Sequence, residues 1–265
     1  MERDTLIRRL APLLALPDGT LAEVESPLQR IRIIKAGAQI HFYFVDADTT
    51  LNGPMSRIDL RRPLYLLADY TQMATLALLW RPQPQRACLI GLAGGRISLV
   101  LHHHLPQLVI DNVEIDPAVG PLAECFFGLI FDHRQRLIVA DAWAHLLATP
   151  EQYDFIVMDA FSDATDDLDQ LASPSFYGDC QAHLVAGGVV VVNMLKNDPH
   201  YQEKRSTFVE YFRYTYLAPR RGGAVLFGCD ELVTMPELMN RATEIQRRCA
   251  FEFLFVARAA QLRLL

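Results

Sequence analysis

From Ala87 onward the chain alternates short apolar runs with stretches of helical periodicity, and that alternation restricts the fold more than any other feature. A strand with one face in water shows every second residue polar, whereas a strand covered on both faces reads as a nearly unbroken apolar run. Ala87–Gly91, Leu108–Ile115, Leu137–Ala140, Tyr153–Met158 and Val189–Asn193 read as strands, the last of them fully apolar up to its final residue. Between them Ile97–His104, Pro117–Phe127, Ala142–Ala148 and Pro174–Leu184 have helical character, with Pro117 in a first-turn position. Gly187-Gly188 predicts a turn before the Val189 run. Repeated strand–helix units imply a mostly parallel sheet with helices on both faces. Phe212–Leu217 and Ala224–Cys229 flank Pro219 and Gly222-Gly223, which predicts an antiparallel hairpin at the sheet edge. Residues 236–264 read as helical.

The preceding segment differs. Ile31–Ile34 and Gln39–Val45 are β-branched and aromatic runs on either side of Gly37, a hairpin signal, and a further short strand is expected near Thr49–Ile58. Pro63–Trp80 carries Leu64, Leu67, Tyr70, Met73, Ala74 and Leu78 at helical spacing, and Pro82 and Pro84 stop that helix. The expected organisation is an N-terminal tail and small antiparallel β domain over residues 1–60, then an α/β domain over 61–265.

Charge and cysteine usage exclude several classes. A net charge of −6 argues against a nucleic-acid partner and permits a cationic one. The five cysteines form no CxxC pair, so neither a disulfide framework nor a zinc site is expected, and a reduced, cytoplasmic setting fits best. The apolar stretch after Arg8-Arg9 is short and broken by Pro12, so it is not read as a signal peptide. No apolar run approaches the roughly 18 residues of a membrane span. His102-His103-His104 point in different directions on a helix, so no metal is expected there.

Four short motifs carry chemistry. Ile90-Gly91-Leu92-Ala93-Gly94-Gly95 follows a strand and opens a helix; small residues let the backbone approach a ligand, and the helix start offers free N–H groups. Glu114 ends the next strand, 19 residues after Gly95, where an acid can accept hydrogen bonds from ribose hydroxyls. Asp141, followed by Ala142, ends the third strand; it serves either as an acceptor for an adenine amino group or as a helix N-cap. Asp159 ends the fourth strand, beside the point where open α/β sheets bind ligands, and residues 159–169 hold five aspartates and no base. Such a loop suits an amine. Arg220-Arg221 reads as a solvated hairpin tip.

In this order the motifs resemble the spermidine synthases, the polyamine aminopropyltransferases. The resemblance covers about residues 23–230 and includes Glu25-Ser26-Pro27-Leu28-Gln29-Arg30-Ile31, Asp69-Tyr70-Thr71-Gln72-Met73, Ser173-Pro174-Ser175-Phe176-Tyr177 and Gly187-Gly188-Val189. It implies a class I methyltransferase-like (Rossmann-like) domain preceded by a small β domain. It assigns Gln29, Gly91, Ala93, Gly94, Gly95, Glu114, Asp141 and Ala142 to the nucleoside ligand. It makes Asp159 the group that deprotonates or orients the attacking amine, and it puts Tyr70, Gln72, Asp163 and Tyr177 along the amine channel. Four positions depart from the family pattern: Gly94 stands where the family has an aspartate, Thr71 and Gln72 where it has His and Glu, and Leu28 where it has tyrosine. Nucleoside determinants thus survive better than amine determinants.

The expected activity is transfer of an aminopropyl group from decarboxylated S-adenosylmethionine to a small amine, without a metal. Two alternatives stand beside it: methyl transfer from S-adenosylmethionine itself, which the missing acid at Gly94 favours, and a non-catalytic nucleoside-binding relative. A homodimer that binds neither nucleic acid nor membrane is also expected.

Overall fold

The computed structural model describes residues 3–45, 53–160 and 170–265. Two sheets share one core. The smaller is an antiparallel meander of β1 (Gly19–Glu25), β2 (Arg30–Ala36), β3 (Gln39–Val45) and β4 (Ser56–Asp59). On β2 the isoleucines alternate with charged residues, so Ile31 and Ile33 are buried while Arg32 turns outward to pair with Glu23 on β1. Gly37, at φ +60, occupies the first central position of the two-residue loop joining β2 to β3. L side chains avoid that backbone, and glycine accepts it.

The larger sheet has eight strands: β5 (Arg86–Ile90), β6 (Val109–Glu114), β7 (Gln135–Val139), β8 (Tyr153–Met158), β9 (Leu184–Leu195), β10 (Tyr214–Arg220), β11 (Gly223–Cys229) and β12 (Arg263–Leu264). Their order is β12-β10-β11-β9-β8-β5-β6-β7. β7, β6, β5, β8 and β9 are parallel, and β11, β10 and β12 continue the sheet antiparallel. The β10–β11 hairpin is the one expected. Apolar strands bury both faces here. Leu89, Val157, Val191 and Phe227 face a core shared with the small sheet and the helices α1 (Arg3–Leu14), α3 (Arg96–His104), α4 (Val119–Phe127), α8 (Met235–Cys249) and α9 (Phe255–Ala259). Ile90, Ile156, Val190 and Leu226 face the opposite core, under α5 (Ala142–Ala148), α6 (Pro174–Ala182) and α7 (Tyr201–Tyr211).

Four local expectations change. The N-terminal tail is the helix α1, whose Leu6 and Leu10 are buried against Gly128 at the end of α4. The helix expected from Pro63 begins only at α2 (Asp69–Ala74) and tightens into a 3₁₀ turn over Thr75–Leu79. The reason is competition for carbonyls: Arg96 takes that of Pro63 and the Gln72 amide that of Leu66. Gly187-Gly188 lies inside β9 as a bulge, since Tyr153 pairs with Leu184 but Phe155 with Val189. The terminal helix breaks at Ala250, at φ +45, and the chain returns through α9 to pair β12 with β10.

The strand order reverses between β5 and β8. β5 runs on to β6 and β7 on one side, and the chain then returns to lay β8 on the other. Ligands of open α/β sheets bind beyond the carboxyl ends of strands at such a point.

Candidate active site

The turn after β5 and the residue after β8 meet at this point. Asp159 donates its backbone N–H to the Ile90 carbonyl at 2.9 Å. A Cβ on Gly91 would lie 2.6 Å from the Asp159 carbonyl oxygen, so only glycine permits this approach. Gly91, Ala93 and Gly95 all have positive φ (87, 44 and 56), which coils the turn tightly and aims the start of α3 at the crevice. Ala93 holds the left-handed conformation at a cost that glycine would not bear.

Glu114, at the end of β6, is buried behind the turn. Its Oε2 accepts the Leu92 N–H at 3.0 Å and its Oε1 the Asp116 N–H at 3.0 Å. Burial pushes its carboxyl up, and these backbone donors pull it back. Asp116, fully buried, accepts from the Ser26 hydroxyl at 2.6 Å and from the Gln29 amide at 3.2 Å. The β1–β2 loop, with Gln29, is thereby tied to the end of β6. Asp141 is exposed and accepts the Ala144 N–H at 2.8 Å, so it caps α5, with Ala142 buried behind it. Of the two readings open for Asp141, the structure directly displays the cap.

On the other side of the crevice, Asp159 receives a hydrogen bond from Asn193 Nδ2 at 2.8 Å and another from the Tyr70 hydroxyl. Burial raises its carboxyl to about 6 against the pull of those two donors and of Arg220. The Tyr70 phenol is pushed well up, first by burial and then by the Asp159 charge. Tyr70 therefore stays a neutral donor, and Asp159 is the member of the pair that can accept a proton.

A cavity of about 430 Å³ opens beside Tyr70, with Asp159 outside its lining. Its wall includes Ser56, Asp69, Tyr70 and Thr71 together with Arg57, Arg96, Arg220 and Arg221. Arg220 folds inward, its guanidinium 5.2 Å from the centre of the Tyr70 ring, so the hairpin tip is not simply solvated. The physical reason is the partner: an aromatic face beside the hairpin attracts a cation.

The remaining expected residues are distributed differently. A Cβ on Gly94 would lie 2.6 Å from the Phe127 ring and 2.7 Å from Ser56 Oγ, so packing closes the position to an acid. Gln72 is buried away from the cavity wall, bonded to Leu66 and to Arg258 at 2.8 Å, where it joins α2 to α9. Tyr177 is fully buried between α6 and α7, against Phe208 and Phe212, and does not line the cavity. Asp163 and the rest of the acidic segment lie outside the described residues. Among the described residues no three His, Cys, Asp or Glu converge on a common point, and no helix is long and apolar enough to cross a membrane.

Sequence reasoning gave no role to Asn193, Asp116, Arg57 or Arg96. Asn193 had a signal, as the one polar residue ending a run of four valines. Arg57 and Arg96 had none, because their neighbours in the cavity come from distant parts of the chain.

The glycine turn, the acids at the ends of β6 and β8 and the strand order define a class I, methyltransferase-like (Rossmann-like) α/β fold. No family model matches the sequence. The polyamine aminopropyltransferase of Vibrio vulnificus is 30% identical over 159 residues, covering 58% of this chain and 53% of that protein. The corresponding protein of Chromobacterium violaceum is 28% identical over 205 residues, covering 75% and 78%. An eEF1A lysine and N-terminal methyltransferase of Mus musculus is 28% identical over 226 residues, covering 76% of this chain and 32% of that protein. In structure, a spermidine synthase bound to the transition-state analogue AdoDATO superposes with a TM-score of 0.69 at 16% identity, covering 91% and 85%. Human methyltransferase-like protein 13 with SAH gives 0.58 at 24% identity, covering 68% and 88%. The chain is thus similar in sequence to bacterial polyamine aminopropyltransferases and in fold to spermidine synthases. It spans about half the length of the Vibrio relative it matches.

Proposed function

We propose that the protein is a transferase that moves an aminopropyl group from decarboxylated S-adenosylmethionine to a small amine. The observation that carries this reading is Asp159. It stands at the switch point, held by Tyr70 and Asn193, with its carboxyl raised to about 6. At neutral pH it is ionised yet basic enough to take a proton from an attacking amine. The amine nitrogen attacks the carbon beside the sulfonium, the new N–C bond forms as the C–S bond breaks, methylthioadenosine leaves, and Asp159 receives the proton. In this reading Glu114 and Gln29 bind the ribose and nucleoside, and Asp141 binds the adenine. The enzyme acts as a cytoplasmic homodimer in this reading, with the exposed Leu254 of the C-terminal arm available for contact.

Methyl transfer from intact S-adenosylmethionine is the second reading. The packing of Phe127 and Ser56 against Gly94 favours it, because no acid can stand there to repel the donor's carboxylate. Titration with the intact and decarboxylated donors, followed by identification of the nucleoside product, tests both. Methylthioadenosine from the decarboxylated donor, with turnover lost in Asp159→Asn, supports aminopropyl transfer. S-adenosylhomocysteine from the intact donor selects the second reading, and absence of binding by either donor refutes both.

A further inference from the structure

The cavity beyond Tyr70 has the wrong charge for a bare diamine. Among the described residues its wall carries four arginines, 57, 96, 220 and 221, against one carboxylate, Asp69. Asp69 is engaged by the Arg221 backbone N–H at 3.1 Å. Two of the guanidiniums are incompletely satisfied. Arg96 is 4% exposed, and while its Nη2 bonds the Pro63 carbonyl, its Nε and Nη1 have no hydrogen-bond partner. Glu252 is the acid that acts on it electrostatically. Arg220 Nε and Nη2 are likewise buried without partners, while Nη1 reaches only the Arg221 carbonyl at 3.3 Å. Buried guanidinium nitrogens without acceptors are costly, and a bound anion with several oxygens removes that cost. The planar donor fork of arginine matches a carboxylate in particular.

Building on the transferase reading above, we propose that this cavity is an acceptor subsite for a carboxylate, so that the acceptor is an amino acid bearing a second amine. Arg220 and Arg96 hold the carboxylate, Tyr70 separates it from the reacting end, and Asp159 receives the proton from the reacting amine. A carboxylate in this place has a second source, the methionine moiety of an intact donor, and the experiment separates the two.

Ornithine and putrescine differ only by the carboxylate, which makes them the probes. Each is titrated into the protein loaded with methylthioadenosine, and each is assayed with decarboxylated donor. Ornithine is expected to bind and to react with about ten- to a hundredfold higher kcat/KM than putrescine, the range of a charge-assisted contact. Arg220→Gln should collapse that ratio towards one. Arg57→Gln, on the exposed edge of β4, should lower it without disturbing the β10–β11 hairpin. Putrescine matching or exceeding ornithine, or neither binding, overturns the subsite while leaving donor binding and the transferase reading to their own test. A loss of affinity in Arg220→Gln for intact but not decarboxylated donor, with the ornithine ratio unchanged, assigns the carboxylate to the donor and overturns the acceptor assignment.

Discussion

Replacing Gly91 with alanine tests the central contact of the site, because two separable costs fall on one methyl group. The first is conformational. Gly91 has φ +87, and an L-residue forced into positive φ loses about 1–2 kcal/mol. The second is steric. The new Cβ would stand 2.6 Å from the Asp159 carbonyl oxygen, 2.9 Å from its carbonyl carbon and 3.0 Å from Ala160 Cα. All three are backbone atoms at the end of a buried strand, so relief requires moving β8 against β5, and overpacking of this kind costs about 1–3 kcal/mol. The sum is about 2–5 kcal/mol, a large part of a domain's usual stability. Gly37→Ala isolates the first cost, since Gly37 has φ +60 and nothing within 4 Å of its Cβ position. Urea denaturation of both variants reads the difference directly, provided the slopes agree. Gly91→Ala should be less stable than Gly37→Ala by about 1–3 kcal/mol, and it alone should lose turnover as Asp159 is displaced. Equal midpoints would refute the argument that Asp159 is seated against the glycine turn.

Further outcomes follow from the same geometry. Asp159 has a raised carboxyl, so the folded state holds its proton more tightly than the unfolded state. That contribution is complete below the unfolded value of 3.8 and is lost as pH rises through about 6. Asp159→Asn should therefore be inactive yet more stable at pH 7.5 by about 1–3 kcal/mol, with the gain vanishing near pH 4 in parallel thermal melts. Asp116→Ala frees Ser26 and Gln29 together and should weaken methylthioadenosine binding about tenfold by calorimetry, as expected of lost charge-assisted bonds. Asp141→Ser keeps an N-cap for α5 while removing the carboxylate; unchanged melting with weaker nucleoside binding assigns Asp141 to adenine, whereas unchanged binding leaves it a cap.

The architecture was legible because parallel strands buried on both faces write themselves as apolar runs, and the β5 to β8 series reads that way with two buried aspartates, Asp111 and Asp154, inserted mid-strand. Those two are buried and answered by arginines, Asp111 by Arg86 and Arg136 and Asp154 by Arg81. The helix at Pro63 was not legible, because side chains from Arg96 and Gln72 decide which carbonyls remain for a helix. Within the site, positions fixed by strand ends were readable: Gly91, Glu114 and Asp159 each close a strand of the switch point. Gln72 lay within the stretch read as helical but turned into the core to meet Arg258, and Tyr177 kept its helix while packing among aromatics. Neither orientation is encoded in local pattern. The arginines are the extreme case, since strand β4, helix α3 and the β10–β11 turn supply one wall from three distant stretches.

The absence of a side chain at Gly94 and the cations beyond Tyr70 are linked through one strand. Strand β4 places Ser56 against Gly94 and Arg57 in the cavity wall, so the same two residues close the turn to a side chain and add positive charge. The electrostatic consequence reaches Asp159. Burial raises its carboxyl, Asn193 and Tyr70 lower it through hydrogen bonds, and Arg220 lowers it through its charge. An anion bound to Arg220 cancels the last effect, so Asp159 becomes a stronger base when such an acceptor is in place. A dicationic acceptor acts in the opposite sense and holds the carboxyl down. The pH dependence of kcat/KM reports the free enzyme and that of kcat the bound one. With ornithine the ionisation seen in kcat should therefore lie above the value of about 6 expected for the free enzyme, and with putrescine it should lie at or below it. Profiles that shift identically for the two acceptors would show that Arg220 and Asp159 are not coupled through a bound carboxylate.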